Sequence, residues 1–382
     1  MSSLESTLTR AWLRRGPLAC ALWPVSLLFR ALSALRARLY RGGLLASSRL
    51  PVPVVVVGNI FIGGTGKTPL TIWLVQALQA AGMRPGVISR GHGSAAATPR
   101  AVAAGSTPQQ VGDEPLLIFQ RTGCPVMVGR DRAATGRALL AAHPAIDILL
   151  TDDGLQHYAL QRDVEIILFD GRGAGNGWLL PAGPLREAPS RRRDFTVINA
   201  PELTPALVAG TGAAPGRAVQ MQLVGEMAEQ LRDRSQRRPL STLARPERSD
   251  PAGQRGGSDQ ASQPGGAGPA SQPGGYDQAG RAAPRIVAAA GIGNPQRFFA
   301  MLRAAGLRFE ELPLPDHHDF LDQPFAALQA DMILMTEKDA VKCARIEDLK
   351  DDPRLWVVPV TARIDAALAE HIVEKCRGCS PA

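Results

Sequence analysis

Aromatic residues make up only 5% of this 382-residue chain, and there are five cysteines. Few aromatics, with no interleaving of basic and aromatic residues, exclude an RNA-binding signature, so no nucleic-acid partner is expected. The cysteines (Cys20, Cys124, Cys343, Cys376 and Cys379) form no disulfide framework and fit a reducing compartment. Cys376 and Cys379 make a CxxC, but no second pair or histidine cluster accompanies it, so it reads as structurally idle. Acid is nearly missing from residues 1–44, where Glu5 stands against seven arginines. The apolar stretch from Pro17 to Phe29 is too short to span a bilayer, which takes about 20 residues. A signal peptide has similar charge and length, yet no small-residue cleavage site follows promptly. Apolar residues interleaved with arginine suit a helix lying in an anionic membrane surface.

What the chain does have is positive charge, +8 overall and mostly arginine. That balance points to anionic partners such as a phospholipid surface or a phosphorylated substrate. The most informative run is VVVVGNIFIGGTGKTP, from Val54 to Pro69. Four β-branched residues predict a buried strand, a glycine-rich turn follows, and Lys67 and Thr68 open a helix. Glycines in such a turn let backbone N–H groups converge on an anion at the helix N-terminus. Gly63, Gly64, Thr65 and Gly66 are thus expected to cradle the phosphates of a nucleotide. Lys67 would reach its β- and γ-phosphates, and the Thr68 hydroxyl a Mg²⁺ ion. The usual pattern has glycine at position 61, where this chain has Phe61.

Apolar runs predict strands at 53–57, 86–89, 125–128, 147–151, 164–169, 195–199, 285–290, 331–335 and 355–360. Helical spacing covers 68–81, 115–121, 131–142, 295–305, 323–329 and 364–375. Strands apolar throughout and separated by helices imply an α/β fold with a mostly parallel sheet covered on both faces. Residues 228–284 break the pattern, being rich in Pro, Gly, Gln, Ser and Arg, with SQPGG twice. They read as a disordered insertion. The expected division is a membrane-associated segment 1–44, a phosphate-loop core 45–227, the insertion 228–284, and a second lobe 285–382.

Ile146-Asp-Ile-Leu-Leu-Thr-Asp152-Asp153 is an apolar strand ending in acid, which can deliver a carboxylate to Mg²⁺ beside the phosphate loop. Gly112-Asp113-Glu114-Pro115 looks on pattern alone like an ordinary helix N-terminus. In Pro315-Asp316-His317-His318-Asp319 the histidines could be metal ligands, an acid/base unit or part of a solvated loop. One histidine held by an aspartate is the more plausible helper of catalysis. Arg90, Arg130, Arg132 and Arg186 fall near predicted loops, where guanidinium forks suit phosphate oxygens.

These blocks, VGN…GGTGKTP (56–69), SRGHG (89–93), GDEP (112–115), VGRDR (128–132), DDGLQH (152–157), GPLRE (183–187), GIGNPQRFF (291–299), PDHHDF (315–320) and TEKDAVK (336–342), resemble in order and spacing the tetraacyldisaccharide 4'-kinase family. The resemblance covers nearly the whole chain outside 228–284. It implies a P-loop NTPase-like α/β core with a smaller second α/β lobe. It also implies transfer of the γ-phosphoryl of ATP to the 4'-hydroxyl of a tetraacylated glucosamine disaccharide 1-phosphate, an early lipid A intermediate. The enzyme would act as a monomer at the cytoplasmic face of the bacterial inner membrane. By the same resemblance Asp113 is the base and His317 supports it. Asp152 and Asp153 are the metal-binding pair, and Arg186 is the arginine of GPLRE. His92 and Leu155 stand where the family usually has Tyr and Phe. A membrane-partitioning ATPase would instead carry lysine where this chain has Ile62. A soluble ligase or small-molecule kinase would not need the segment 1–44.

Overall fold

The four valines that open the phosphate loop alternate in where they point, as a strand requires. Val55 and Val57 enter one apolar cluster and Val54 and Val56 another, on opposite faces of the same sheet. The computed structural model describes residues 12–91, 98–214, 216–243 and 284–378. In chain order its strands are β1 (Val54–Gly58), β2 (Pro85–Ser89), β3 (Arg100–Ala101), β4 (Val126–Val128) and β5 (Ile148–Asp152). There follow β6 (Val164–Asp170), β7 (Phe195–Asn199), β8 (Ala218–Val224), β9 (Met227–Gln230) and β10 (Arg237–Pro239). The last are β11 (Ile286–Ala290), β12 (Glu310–Pro313), β13 (Met332–Thr336), β14 (Leu355–Val358) and β15 (Thr361–Ile364). The main helices are α1 (Pro17–Arg41), α2 (Lys67–Ala80), α3 (Asp113–Thr122), α4 (Arg132–Ala142), α5 (Pro295–Ala304), α6 (Glu337–Cys343) and α7 (Ala367–Arg377).

The first sheet runs β15-β8-β7-β6-β1-β5-β2-β4-β3 and the second β10-β9-β14-β13-β11-β12. Pairing is parallel from β8 through β4 and from β14 through β12, and antiparallel where β15, β3, β9 and β10 join. The phosphate-loop strand β1 lies between β6 and β5, so Asp152 at the end of β5 emerges beside the loop. Ligands of open α/β sheets bind at these carboxyl ends.

Sheet membership crosses the expected domain boundaries. β9 and β10 join the second sheet, while β15 returns to pair with β8 of the first. The expected insertion therefore begins later than 228, since 228–243 contain strands and a helical turn anchored by buried Leu231 and Leu240. Residues 244–283 lie outside the described residues, as do 1–11 and His92.

The helix expected at 323–329 is replaced by turns. Gln323 takes a left-handed φ of 49° just before Pro324, and the Arg354 guanidinium donates to the carbonyls of Leu328 and Phe325. The apolar spacing there reflects two anchor points of a loop. The strand expected over 355–360 stops at Val358, and the chain then switches sheets.

Helix α1 runs well beyond the apolar stretch read from the sequence. It has 25 residues, of which only Ala19 and Ser26 are buried. By length and composition it is long enough to cross a membrane. One stripe docks on the core: Ser26 Oγ donates to Leu179 O (2.6 Å), and Phe29 packs against the first sheet's cluster. Ahead of it, Trp12 Nε1 donates to Pro181 O (2.9 Å). Near its end the Arg36 guanidinium sits over the Tyr158 ring at 5.6 Å. Leu18, Trp23, Val25, Leu28, Leu32 and Leu35 are exposed.

Candidate active site

Gly63 and Gly66 have φ of 97° and 103°, conformations that side-chain-bearing residues rarely adopt. A Cβ on Gly66 would also lie 2.7 Å from Asn199 Nδ2. The turn they make puts Lys67 at the start of α2, with Thr68 buried in its first turn. Beneath the turn lies Asn59, a residue of the same run to which its pattern assigns no role. Its Nδ2 faces the carbonyls of Phe61 (2.8 Å) and Gly63 (3.1 Å) and Thr65 Oγ1 (2.9 Å). Its Oδ1 accepts from Lys67 Nζ (3.2 Å) and the Arg186 guanidinium (2.5 Å).

Phe61, the departure from the usual glycine, is a buried residue that bridges to Leu185. Ile62 N donates to Pro184 O (2.9 Å) and Arg186 N to Ile60 O (2.7 Å). The phosphate loop and the GPLRE segment are thereby one unit, and Arg186 is delivered to the loop. Its guanidinium also reaches Asp153 Oδ2 at 3.4 Å, while Lys67 Nζ lies 3.7 Å from Asp153 Oδ1.

Asp152 and Asp153 differ in their surroundings. Asp153 turns toward the two cations with φ 53°. Burial pushes its carboxyl up, but Lys67 and Arg186 outweigh that and hold it below its ordinary value. Asp152 is 1% exposed, and neither of its carboxylate oxygens has a hydrogen-bond partner among the described residues. Burial, then the nearby charge of Glu114, pushes it up, against the pull of Lys67. An orphaned buried carboxylate is costly unless something else satisfies it.

Asp113 opens α3 after Gly112, whose φ is 90°. It is 4% exposed, and its Oδ2 lies 3.1 Å from His317 Nδ1, 3.4 Å from Lys342 Nζ and 3.9 Å from Lys338 Nζ. A carboxylate only accepts, so Nδ1 carries the proton. Burial pushes the Asp113 carboxyl up, yet the His317 hydrogen bond and the two lysines prevail and hold it well below the usual carboxylate range. His317 itself has a left-handed φ of 59°, with its N–H shared between Gly291 O and Asp316 Oδ1. Strain of this kind persists where surrounding contacts enforce it, often at functional sites.

The histidine pair divides. His318 accepts from Phe320 N at Nδ1 and faces Asp322 at 3.3 Å, while His317 faces Asp113. Of the other arginines, Arg90 and Arg130 are exposed. Arg132 is buried behind the site, with its guanidinium on Gly129 O and 3.5 Å from Asp152 O.

The polar side chains of the TEKDAVK block are engaged within the protein. Glu337 pairs with Arg121 (2.6 Å), and Lys338 with Glu114 (3.1 Å). Asp339 accepts from Gly291 N (2.9 Å), and Lys342 donates to His318 O (3.1 Å). Arg297, in GIGNPQRFF, donates to the carbonyls of Gly64 (2.8 Å) and Thr65 (2.9 Å) and to Asp170 Oδ2 (2.9 Å). These partners lie too far apart in sequence for spacing to reveal them.

Asp113, the glycine turn, Lys67 and the Asp152–Asp153 pair thus come from separated blocks of the chain that meet in one place. The family model LpxK, tetraacyldisaccharide-1-P 4'-kinase, matches residues 18–377. The chain belongs to the tetraacyldisaccharide 4'-kinase family. Tetraacyldisaccharide 4'-kinase of Janthinobacterium sp. is 59% identical over 379 residues, covering 99% of this chain and 98% of its own. That of Herminiimonas arsenicoxydans is 57% identical over 380 residues, again covering 99% and 98%. Among solved structures, LpxK from Aquifex aeolicus, an "apo" form in complex with ATP, superimposes with a TM-score of 0.69. At 24% identity, over 94% of this chain and 99% of that one, it shows the same fold. The chain is therefore a lipid kinase of lipid A synthesis with a P-loop-like α/β fold.

Proposed function

We propose that the enzyme transfers the γ-phosphoryl group of ATP to the 4'-hydroxyl of a tetraacylated glucosamine disaccharide 1-phosphate, with Asp113 as the base. The observation that carries this reading is the pairing of buried Asp113 with His317, next in sequence to Glu114, which lies within electrostatic reach of Lys67 and Asp152. A sugar hydroxyl is a poor nucleophile, and its proton passes to the Asp113 carboxylate as the new bond forms. The transition state is loose, so the hydroxyl acidifies late, and an ionised carboxylate suffices without being strongly basic. His317 holds that carboxylate in place through Nδ1–H. Lys67 and Arg186 face the charge that spreads over the transferring oxygens.

The unpartnered oxygens of Asp152 fit a hard divalent cation, Mg²⁺, with Thr68 and Asp153 beside it. When bound, Mg²⁺ would neutralise charge on the phosphate oxygens. The glycine turn of 63–66 would bind the nucleotide phosphates. The exposed leucines of α1, set among arginines, support a seat on the cytoplasmic face of the inner membrane, where an acyl-bearing substrate is met.

Labelled phosphate transfer from ATP to tetraacyldisaccharide 1-phosphate in detergent micelles tests the proposal, with wild type beside Asp113→Ala. We expect Mg²⁺-dependent product at the 4' position and a loss of about 100-fold or more in the variant. Undiminished transfer by Asp113→Ala would remove Asp113 as the base. ATP hydrolysis without lipid product would refute the acceptor.

A further inference from the structure

A phosphate loop works through the direction of its N–H groups, and direction has to be held by something. A peptide unit is planar and trans, so the C=O of one residue and the N–H of the next point to opposite sides. Fixing a carbonyl from one side aims the following N–H to the other. In this kinase the carbonyls of Gly64 and Thr65 are both held by one guanidinium, that of Arg297, at 2.8 and 2.9 Å. Asn199 Nδ2 adds a second donor to Thr65 O at 3.0 Å. Arg297 belongs to α5 of the second lobe, more than 200 residues along the chain, and its fork is braced by the buried carboxylate of Asp170.

The backbone of the second lobe approaches the loop just as closely. A Cβ on Gly293 would lie 2.8 Å from Gly64 N and 2.9 Å from Asp316 Oδ2. A Cβ on Gly66 would lie 3.2 Å from the Arg297 guanidinium. The glycines at 66 and 293 therefore leave room for the clamp as well as for the turn.

We infer that Arg297 is a positioning residue for the nucleotide: reaching from the second lobe, it fixes two peptide planes so that the N–H groups of Thr65 and Gly66 face the phosphates. The inference rests on the reading of residues 63–68 as the ATP cradle. Arginine suits the task because a planar fork can serve two carbonyls at once, whereas a lysine ammonium is a single point charge.

The test is the affinity of the full-length kinase for a non-hydrolysable ATP analogue with Mg²⁺, by titration calorimetry, together with steady-state kinetics in micelles. The proteins are wild type, Arg297→Lys, Arg297→Gln and Lys67→Ala, each with its unliganded melting temperature measured. We expect Arg297→Gln to weaken analogue binding at least tenfold, about 1.4 kcal/mol, and Arg297→Lys to fall between it and wild type. The KM for lipid should stay within about twofold, since the clamp touches the donor side only. Wild-type analogue affinity in both Arg297 variants would overturn the inference. So would a fall in kcat at unchanged nucleotide affinity, which would put Arg297 on the transferring group. A parallel loss of nucleotide and lipid affinity tracking a lowered melting temperature would reduce it to a fold contact. If Lys67→Ala also binds like wild type, the ATP-cradle reading itself fails; if only Lys67→Ala loses binding, the cradle stands and the clamp does not.

Discussion

Asp113 shows what the residues around a carboxylate decide. Its seat at the start of α3 looks ordinary in sequence, and burial alone would favour the neutral acid. Three cationic or donating neighbours from the second lobe reverse that. The direction fixes a pH signature. A carboxyl whose folded value lies below its unfolded value of about 3.9 contributes stability that is complete above that range and is lost as pH falls through it. Wild type should therefore be clearly more stable than Asp113→Asn at pH 7 in urea unfolding. The gap should shrink steadily between about pH 4 and pH 3, as the unfolded chain begins to take up the proton. A gap of constant size down to pH 3 would mean that the cationic neighbours do not hold Asp113 ionised. The sequence contains His317, Lys338 and Lys342, but nothing in their spacing says that all three face one oxygen atom.

Helix α1 shows why some elements are legible as elements and not as surfaces. Its apolar residues run around most of the cylinder, so periodicity cannot say which stripe meets protein. In the structure Ala19, Ser26 and Phe29 take the inner stripe, and Leu28, Leu32 and Leu35 lie outside at 61%, 59% and 52% exposure. Changing those three leucines to serine should leave the melting temperature within a degree or two, since exposed substitutions rarely matter to folding. It should abolish co-sedimentation with anionic vesicles, because each leucine stands to lose about 2 kcal/mol of burial in the membrane. Retained co-sedimentation would move the membrane contact elsewhere. The same physics sorts the strands. Those buried on both faces (β1, β2, β5, β6, β7, β11 and β13) are plain in the sequence because most of their residues are apolar. β3, β8, β9, β10, β12 and β15 lie at or near sheet edges and carry polar residues, and the apolar pattern missed them. The phosphate loop and the Asp152–Asp153 strand end were readable because their chemistry is local.

At the scale of the whole molecule, the two lobes are joined by charge as well as by chain. The chain crosses between the sheets after Val224 and again after Val358. Helices α3 and α6 lie side by side across the divide and are pinned at both ends. At one end Lys338 meets Glu114 and Lys342 meets Asp113; at the other Arg121 meets Glu337, which also accepts from Val360 N in the second crossing. Glu337 is 5% exposed, so losing its partner leaves a charge with little water to replace it. The far clasp thus holds the helix that brings both lysines to Asp113. A double-mutant cycle on Arg121→Met and Glu337→Gln should give a coupling energy of about 2 kcal/mol in urea unfolding. Each single variant should also lose kcat by about tenfold, equivalent to 1.4 kcal/mol, with the KM for ATP little changed because the Arg297 clamp is separate. Coupling without a fall in kcat would show that the clasp stabilises the fold and does not set the base. No coupling at all would mean that the Arg121–Glu337 contact contributes nothing to holding the lobes together.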